Sequence, residues 1–372
     1  MTTLTQLIEQ HCPDGVEYVK LGDVAEYSSL RVDSADLNAN TFVGVDNLLK
    51  DRGGKTLSEH GPNTKRSTKY QVGDVLIGNI RPYLRKIWHA TNEGGCSGDV
   101  LAIRPLKTNS RFLYWVLFDD EFWHHNDSFS RGGKMPRGDK AAILAYQFPL
   151  PPREVQDAIV ERLDAFAALI ESLDSEIALR EKRFEYFREQ LLTFDESDDV
   201  EYVKLGEPLS LKAGRHIKAS EISNERSETH RYLCVGGNGV RGFVSAHNQQ
   251  GAYAVIGRQG ALCGNVQWFS GDFYATEHAV VVTPKKGVCG RFMFHQLVEM
   301  NLRQYATKSA QPGLSVNKLK ELPIPLPSLD VQQGIADKLD TMQALIDNLK
   351  NERELRKTQF EYYREKLLTF NS

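Results

Sequence analysis

The chain has 372 residues with 46 Lys+Arg against 49 Asp+Glu, a formal net charge of −3 and 41% hydrophobic residues. That length allows two domains with real cores, and the composition is that of ordinary globular protein. No apolar run approaches the ~18 residues of a membrane span, and Met1-Thr2-Thr3-Leu4 begins no signal peptide, so a cytoplasmic protein without membrane attachment is expected. The five cysteines, Cys12, Cys96, Cys234, Cys263 and Cys289, are scattered without Cys-x-x-Cys spacing and read as idle thiols in a reducing compartment.

In chain order, a short leader runs into Val16-Glu17-Tyr18-Val19-Lys20-Leu21-Gly22. From there to residue 147 the pattern is mixed α/β, with a strand predicted at Asp74-Val75-Leu76-Ile77 and a helix at Phe112-Leu113-Tyr114-Trp115-Val116-Leu117. Trp115, Phe118, Phe122 and Trp123 read as core residues. Phe148-Pro149-Leu150-Pro151-Pro152 must be extended, because proline fixes its own backbone and biases the preceding residue away from helix. A long helix follows from Val155 to Phe194, about 60 Å at ~1.5 Å per residue. Its apolar positions Ile159, Leu163, Phe166, Ile170, Leu173, Ile177, Phe184, Phe187 and Leu191 step by four and three, the period of a coiled-coil seam, interrupted by Arg180.

After Asp195-Glu196-Ser197-Asp198-Asp199 the lead-in returns letter for letter as Val200-Glu201-Tyr202-Val203-Lys204-Leu205-Gly206, at an offset of 184. A second variable stretch follows, with strands predicted at Tyr253-Ala254-Val255-Ile256 and Ala279-Val280-Val281-Val282-Thr283 and a helix at Arg291–Leu297. The proline run then recurs as Leu322-Pro323-Ile324-Pro325-Leu326-Pro327, and the segment from Ile324 to Ser372 repeats Phe148 to Glu196 at an offset of 176. Its seam is Ile335, Leu339, Met342, Ile346, Leu349, Phe360, Tyr363 and Leu367, interrupted by Arg353 and Arg356. The expected fold is therefore α/β (α+β). Two globular mixed α/β domains (1–147 and 200–323) alternate with two conserved helical regions (148–199 and 324–372). The two long helices pair as an antiparallel coiled coil about a pseudo-two-fold axis.

Positive charge sits where the sequence diverges. Residues 17–147 hold 18 Lys+Arg against 16 Asp+Glu, and 200–323 hold 15 against 9. The repeats read 6 against 14 for 148–199 and 7 against 8 for 324–372. Basic heads on an acidic scaffold suit a phosphate-bearing ligand. Within each head, glycine-rich basic loops follow a common plan. Gly78-Asn79-Ile80-Arg81-Pro82 parallels Gly257-Arg258-Gln259-Gly260, and Ser130–Arg137 parallels Lys308–Ser315. The candidate nucleic-acid contacts are Arg81, Tyr83, Arg85, Lys86, Arg131, Lys134 and Arg137 in the first head. In the second they are Asn238, Arg241, Arg258, Gln259, Lys308, Gln311, Asn317 and Lys318. These are side chains that donate to phosphates and base edges.

Several motifs fail on context. Gly237-x-Gly239-x-x-Gly242 runs into Phe243-Val244, another strand-like segment, where a dinucleotide site needs a helix N-terminus. Gly54-Lys55-Thr56 lacks the first glycine of a P-loop, and His124-His125 lacks metal-ligand spacing. No methyltransferase box or nuclease constellation is found, so neither catalytic nor metal residues are expected.

The paired Pro-Leu-Pro openings, Val155-Gln156 and Val331-Gln332 entering the helices, the endings Phe184-Glu185-Tyr186 and Phe360-Glu361-Tyr362 through Leu-Leu-Thr-Phe, and the doubled lead-in resemble one family. It is the specificity subunits of type I restriction–modification systems, and the resemblance covers nearly the whole chain. It implies two target-recognition domains, each reading half of a bipartite site in double-stranded DNA. It further implies two conserved regions that act as a ruler and dock two modification (methyltransferase) subunits, with restriction/translocase subunits joining the complex. S-adenosylmethionine, ATP, Mg and the active sites would lie on those partner chains and none on this one. From the residues alone, two rivals remain: a two-headed coiled-coil adaptor for protein ligands, and a stand-alone DNA methyltransferase or nuclease.

Overall fold

The computed structural model describes residues 4–195, 200–260, 262–308 and 312–370. The chain divides into two compact units, Met1–Asp174 with Glu352–Ser372, and Ser175–Asn351. Each unit takes one half of each long helix, Arg153–Leu192 (40 residues) and Leu329–Thr369 (41 residues). The first helix thus starts and stops two residues earlier than its periodicity suggested.

Unit 1 holds two four-stranded sheets. One is antiparallel throughout, in the order Ala25–Tyr27, Val100–Pro105, Val75–Gly78, Ile87–His89. The other runs Arg31–Asp33, Arg66–Tyr70, Gly94–Cys96, Phe42–Val43, with the last pair parallel. Helices Ser110–Phe118, Asp120–Ser128 and Lys140–Leu144 start on Asn109, Asp119 and Asp139, whose side chains accept from the free backbone N–H groups of the first turn. Trp115, Phe122 and Trp123 are buried in the core, as their pattern indicated. Unit 2 holds one six-stranded sheet. Its order is Leu209–Ala213, Ala279–Pro284, Gln249–Gly257, Val266–Ala275, Tyr232–Gly236, Gly239–Val244. Helix Gly290–Glu299 packs on one face through Phe292, Met293 and Leu297. The fingerprint-like glycines lead into strand Gly239–Val244, so no helix N-terminus is available there for pyrophosphate.

The repeated framing segments meet each other. Tyr18–Lys20 pairs antiparallel with Gln147–Pro149, and Glu201–Lys204 pairs with Pro323–Leu326. A proline cannot donate to a ladder, and an isolated two-stranded clip has free outer edges that tolerate it. Each variable segment is therefore tied off at its base by its own lead-in and proline run.

Within each unit the long helices run antiparallel. In unit 1, Phe166 stacks on Tyr363 with ring centroids 5.6 Å apart, and Arg353 Nε donates to Asp174 Oδ1 at 2.5 Å. In unit 2, Lys350 meets Glu181 at 2.7 Å, and Phe187 and Leu191 face Asp337, Thr341 and Met342. Of the seam positions, Ile159, Leu163, Ile177, Phe184, Ile335, Leu339, Ile346, Phe360 and Leu367 are buried. Phe166, Ile170, Leu173, Leu191, Met342, Leu349 and Tyr363 are half-buried. Phe187 departs from the expectation: it is 38% exposed and lines an open groove, because two helices alone cannot cover both flanks of a seam. The seam arginines are matched to acids. Arg180 pairs with Glu176 and Arg356 with Glu352, one turn back on the same helix in both copies.

The helices also serve as sockets for the variable segments. Gln156 Nε2 donates to Pro151 O (2.8 Å) while its Oε1 accepts from Asn109 N (2.8 Å); Gln332 bonds Pro327 O (2.7 Å) and Cys289 N (2.9 Å) in the same way. Asp164 accepts from Arg111 Nε (2.8 Å) and Trp115 Nε1 (2.9 Å); Asp340 accepts from Arg291 Nε (2.8 Å) and pairs with His295 Nε2 (2.7 Å). Arg364 Nε donates to Asp119 Oδ2 (3.0 Å), and Arg188 Nε to Glu299 Oε2 (2.8 Å). The helix residues of each match stand 176 apart and their partners in the variable segments about 180 apart, so one docking plan holds two unlike payloads.

Candidate nucleic-acid interface

In unit 1 the buried strand Val75–Gly78 ends in a loop that turns sharply. Arg81 (φ 53°) and Arg85 (φ 48°) both adopt the left-handed conformation, on either side of the short turn Pro82–Leu84. Non-glycine residues in that region cost strain and tend to sit at functional loops. The second basic loop of the unit comes back to meet this one. Ile80 bridges to Arg137, Arg81 N donates to Pro136 O at 2.7 Å, and Gly138 N donates to Asn79 O at 3.1 Å. A Cβ on Gly138 would stand 2.3 Å from Asn126 Oδ1 and 2.9 Å from Asn79 Oδ1, so a larger residue would displace these side chains. Residues about fifty positions apart in sequence thus share one surface.

On that surface the candidates differ. Tyr83, Arg131 and Lys134 are exposed, with Arg131 making only a peripheral pair with Asp139 at 3.2 Å. Arg137 is exposed but spends its guanidinium on Asp99, Nε to Oδ1 at 2.8 Å, which raises its already high pKa. Arg81 is half-buried, and its Nε has no hydrogen-bond partner among the described residues. Arg85 and Lys86 turn inward. Arg85 Nη1 donates to Asp120 Oδ1 (2.5 Å) and Lys86 Nζ to Val45 O (2.5 Å), with burial lowering the Lys86 pKa. Both act as braces of the loop, a role that composition could not distinguish from ligand contact. Lys55 of the P-loop look-alike is likewise used internally, donating to Asn40 O at 2.5 Å beneath the Trp88 ring.

Unit 2 repeats the convergence with other residues. Gln259 bridges to Gly313, Gly260 N donates to Pro312 O (3.1 Å), and Leu314 N donates to Arg258 O (2.9 Å). The hairpin turn between Tyr232–Gly236 and Gly239–Val244 presses on the same loop. A Cβ on Gly257 would lie 2.0 Å from Gly237 O, so bare backbones make this contact. Asn238, Arg241, Gln259 and Lys308 are exposed, as are Asn317 and Lys318 on the short helix Val316–Lys320 that Ser315 caps. Arg258 is half-buried with its Nε unpartnered among the described residues, matching Arg81. Gln311 lies outside the described residues.

The structure adds residues that the loop plan had passed over. Arg215 bridges to Thr276, and Arg258 N donates to His278 O at 2.9 Å, which brings the turn Thr276-Glu277-His278 beside the Arg258 loop. Glu277 Oε1 pairs with His216 Nδ1 (2.9 Å) and His278 Nε2 (3.4 Å). Burial would raise the Glu277 pKa, but the hydrogen bond from His216 and the charges of both histidines outweigh it and hold the carboxyl below its ordinary range. The available signal was a short polar turn, Thr-Glu-His, set between two apolar strands; it carries neither glycine nor a second base and so fell outside the shared plan.

Comparison with known proteins agrees with the doubled architecture. The family model for the type I restriction modification DNA specificity domain matches residues 13–179 and again 197–356. Over 250 residues the chain is 42% identical to the type I restriction enzyme EcoprrI specificity subunit of Escherichia coli, an alignment covering 64% of this chain and 62% of that protein. The chain thus matches less than two thirds of that relative's length. Among solved structures it resembles the S subunit of a type I restriction-modification system from M. genitalium (TM-score 0.67, 14% identity, 95% of this chain and 96% of the other). It also resembles a chain solved in work on complex assembly and conformational transition of the type I R-M system (TM-score 0.57, 19% identity, 95% of this chain and 98% of the other). At those identities the likeness speaks for the fold. With two matches that together span most of its length, the chain belongs to the type I restriction modification DNA specificity domain family.

Proposed function

We propose that this chain is the DNA-reading, non-catalytic specificity subunit of a type I restriction–modification complex, with 1–147 and 200–323 as target-recognition domains and 148–199 and 324–372 as the conserved struts. One observation carries the reading. In each unit two glycine-rich basic loops, distant in sequence, are bridged into a single surface by backbone hydrogen bonds. Duplication of that geometry on unlike sheets suits two half-sites of different sequence. Exposed tyrosine, arginine, lysine, asparagine and glutamine supply base-edge and phosphate donors, while the acidic residues concentrate on the struts.

The struts carry a second duplicated surface. Exposed Leu169, Leu355, Tyr362 and Tyr18 in unit 1 have identical counterparts Leu345, Leu179, Tyr186 and Tyr202 in unit 2. Apolar side chains kept exposed in duplicate suit two copies of one protein partner, which this reading takes to be the modification subunits. The methyl donor, nucleotide and metal chemistry would belong to those partners and to the restriction subunits. Among the described residues no helix is long and apolar enough to cross a membrane, and no group of His, Cys, Asp and Glu could hold a metal ion.

The test is exchange of residues 17–147 for the corresponding segment of a relative, followed by mapping of methylated adenines in cells carrying the cognate modification subunit. The hybrid should change one half-site and keep the other. Alteration of both half-sites, or methylation independent of this chain, would overturn the reading.

A further inference from the structure

We propose that Glu277, held between His216 and His278, is a base-reading acceptor that selects an exocyclic amino group, cytosine N4 or adenine N6, in the half-site of unit 2. This rests on the DNA-reading function proposed above and assigns one of its specificity determinants. The turn Thr276–His278 touches the Arg258–Gln259 loop through Arg258 N to His278 O (2.9 Å), and Gly237, in the adjoining hairpin turn, is packed so closely that a Cβ there would stand 2.6 Å from Gln259 O. Glu277 therefore sits among the donors of the candidate interface and not on the solvated flank of the sheet.

A carboxylate beside arginines on a phosphate-facing surface repels the backbone of DNA, so its presence there needs a compensating use. Local stability offers a weak one: His216 is 74% exposed in its side chain, and ion pairs open to solvent add little to stability. An ionised carboxylate only accepts hydrogen bonds. In the major groove it therefore meets the amino group of cytosine or adenine and opposes guanine O6 and thymine O4, which are acceptors themselves. Glu277 Oε1 carries both histidines, whereas Oε2 is occluded and has no partner among the described residues. A buried oxygen left unpaired is costly in the free protein. A carboxylate oxygen has about two acceptor sites, so Oε1 of this partly exposed side chain can take a further donor beside the histidines. The histidines then share in the readout: a donor beside the acceptor matches adenine N7 and N6, and an acceptor alone matches cytosine N4.

The experiment compares the wild-type complete methylation complex with Glu277→Gln, Glu277→Asp and, as a control on the same sheet, Asp272→Asn. Methylated sites are mapped in cells, and the purified complexes are competed on duplexes varied one base pair at a time through the bipartite site. Glutamine can donate as well as accept, so E277Q should lose discrimination at one position of the unit 2 half-site by roughly 5- to 150-fold, the range of one base-edge contact. The other half-site should be read as before, E277D should lose less, and D272N should match wild type. A cytosine at the relaxed position would identify the acceptor alone, and an adenine would identify the acceptor with a histidine. Unchanged discrimination at every position by E277Q would overturn the assignment while leaving the function intact. Loss of binding to all duplexes by E277Q and E277D alike would also overturn it, marking Glu277 as structural. Failure of the wild-type complex to prefer any bipartite site would instead remove the function on which the inference rests.

Discussion

The two units share a socket and differ in what fills it. In unit 1 a pair of four-stranded sheets is docked through Arg111–Asp164, Trp115–Asp164 and Arg364–Asp119; in unit 2 a six-stranded sheet is docked through Arg291–Asp340, His295–Asp340 and Arg188–Glu299. Trp115 and His295 are chemically unlike, yet each can present a ring N–H to the same carboxylate position on a long helix. The lesson is that a scaffold accepting divergent payloads constrains a handful of hydrogen-bonding groups at the docking helix and leaves the sheet free. The match is not complete, however. Arg364 is buried and reaches both Asp119 and Asp120, whereas the side chains of Arg188 and Glu299 remain 23% and 28% exposed.

That asymmetry gives the largest expected effect. Arg364→Ala leaves Asp119 buried without its cation and should cost about 3–5 kcal/mol in chemical denaturation, while Arg188→Ala, at a partly solvated pair, should cost about 1 kcal/mol. Equal losses would mean that the two sockets are energetically alike after all. The glutamine clamps test the shared part. Gln156→Ala and Gln332→Ala each strand a backbone N–H and a carbonyl, so each should destabilise by about 1–3 kcal/mol, in the same degree. A large effect in one unit and none in the other would break the equivalence. On DNA, Arg81→Ala and Arg258→Ala, the two half-buried arginines with an unpartnered Nε, should each weaken binding by about 1–3 kcal/mol, each at its own half-site. A base contact would show as relaxed preference at one position, and a phosphate contact as uniform weakening with a shallower salt dependence.

A pH series probes a buried histidine in each unit. Burial, helped by the charge of Arg111, lowers the His89 pKa from 6.5 to about 4, against a weaker opposing pull from Asp164. The folded protein therefore resists a proton that the unfolded chain accepts. Stability should be full above pH 6.5, fall by up to about 1 kcal/mol per pH unit as the pH drops toward 4, and level off below. His89→Gln should flatten that slope in denaturation curves measured from pH 7 to 4.5. In unit 2 burial also lowers the His295 pKa, although Asp340 pulls against it, so H295Q should flatten the slope as well. A slope untouched by both substitutions would remove histidine protonation as its cause.

Much of this protein was determined by its sequence. The repeats marked the frame: both copies of the lead-in form a strand that pairs with its own proline run, although Leu21-Gly22 opens a helix where Leu205-Gly206 makes a turn. The proline runs dictated extended chain, and the steps of four and three dictated the long helices and most of their seam, since these arise from local geometry that no neighbour overrides. The two loop pairs were legible as well, through glycines that permit close backbone approach. The tertiary structure decided which side chains are free to meet a ligand. Arg85 and Lys86 have the composition of nucleic-acid contacts, yet they brace their own loop because Asp120 and Val45 come within reach only after folding. Phe187 has the spacing of a seam residue, yet it faces a groove, because helical period fixes a face and not what covers it. Gln156 and Gln332 stood out in the sequence only as repeated letters at the helix starts, and Asp164 and Asp340 not at all. They are the docking groups, since a polar residue gains its meaning from a partner some fifty residues away in sequence, and periodicity carries no information about partners at that range.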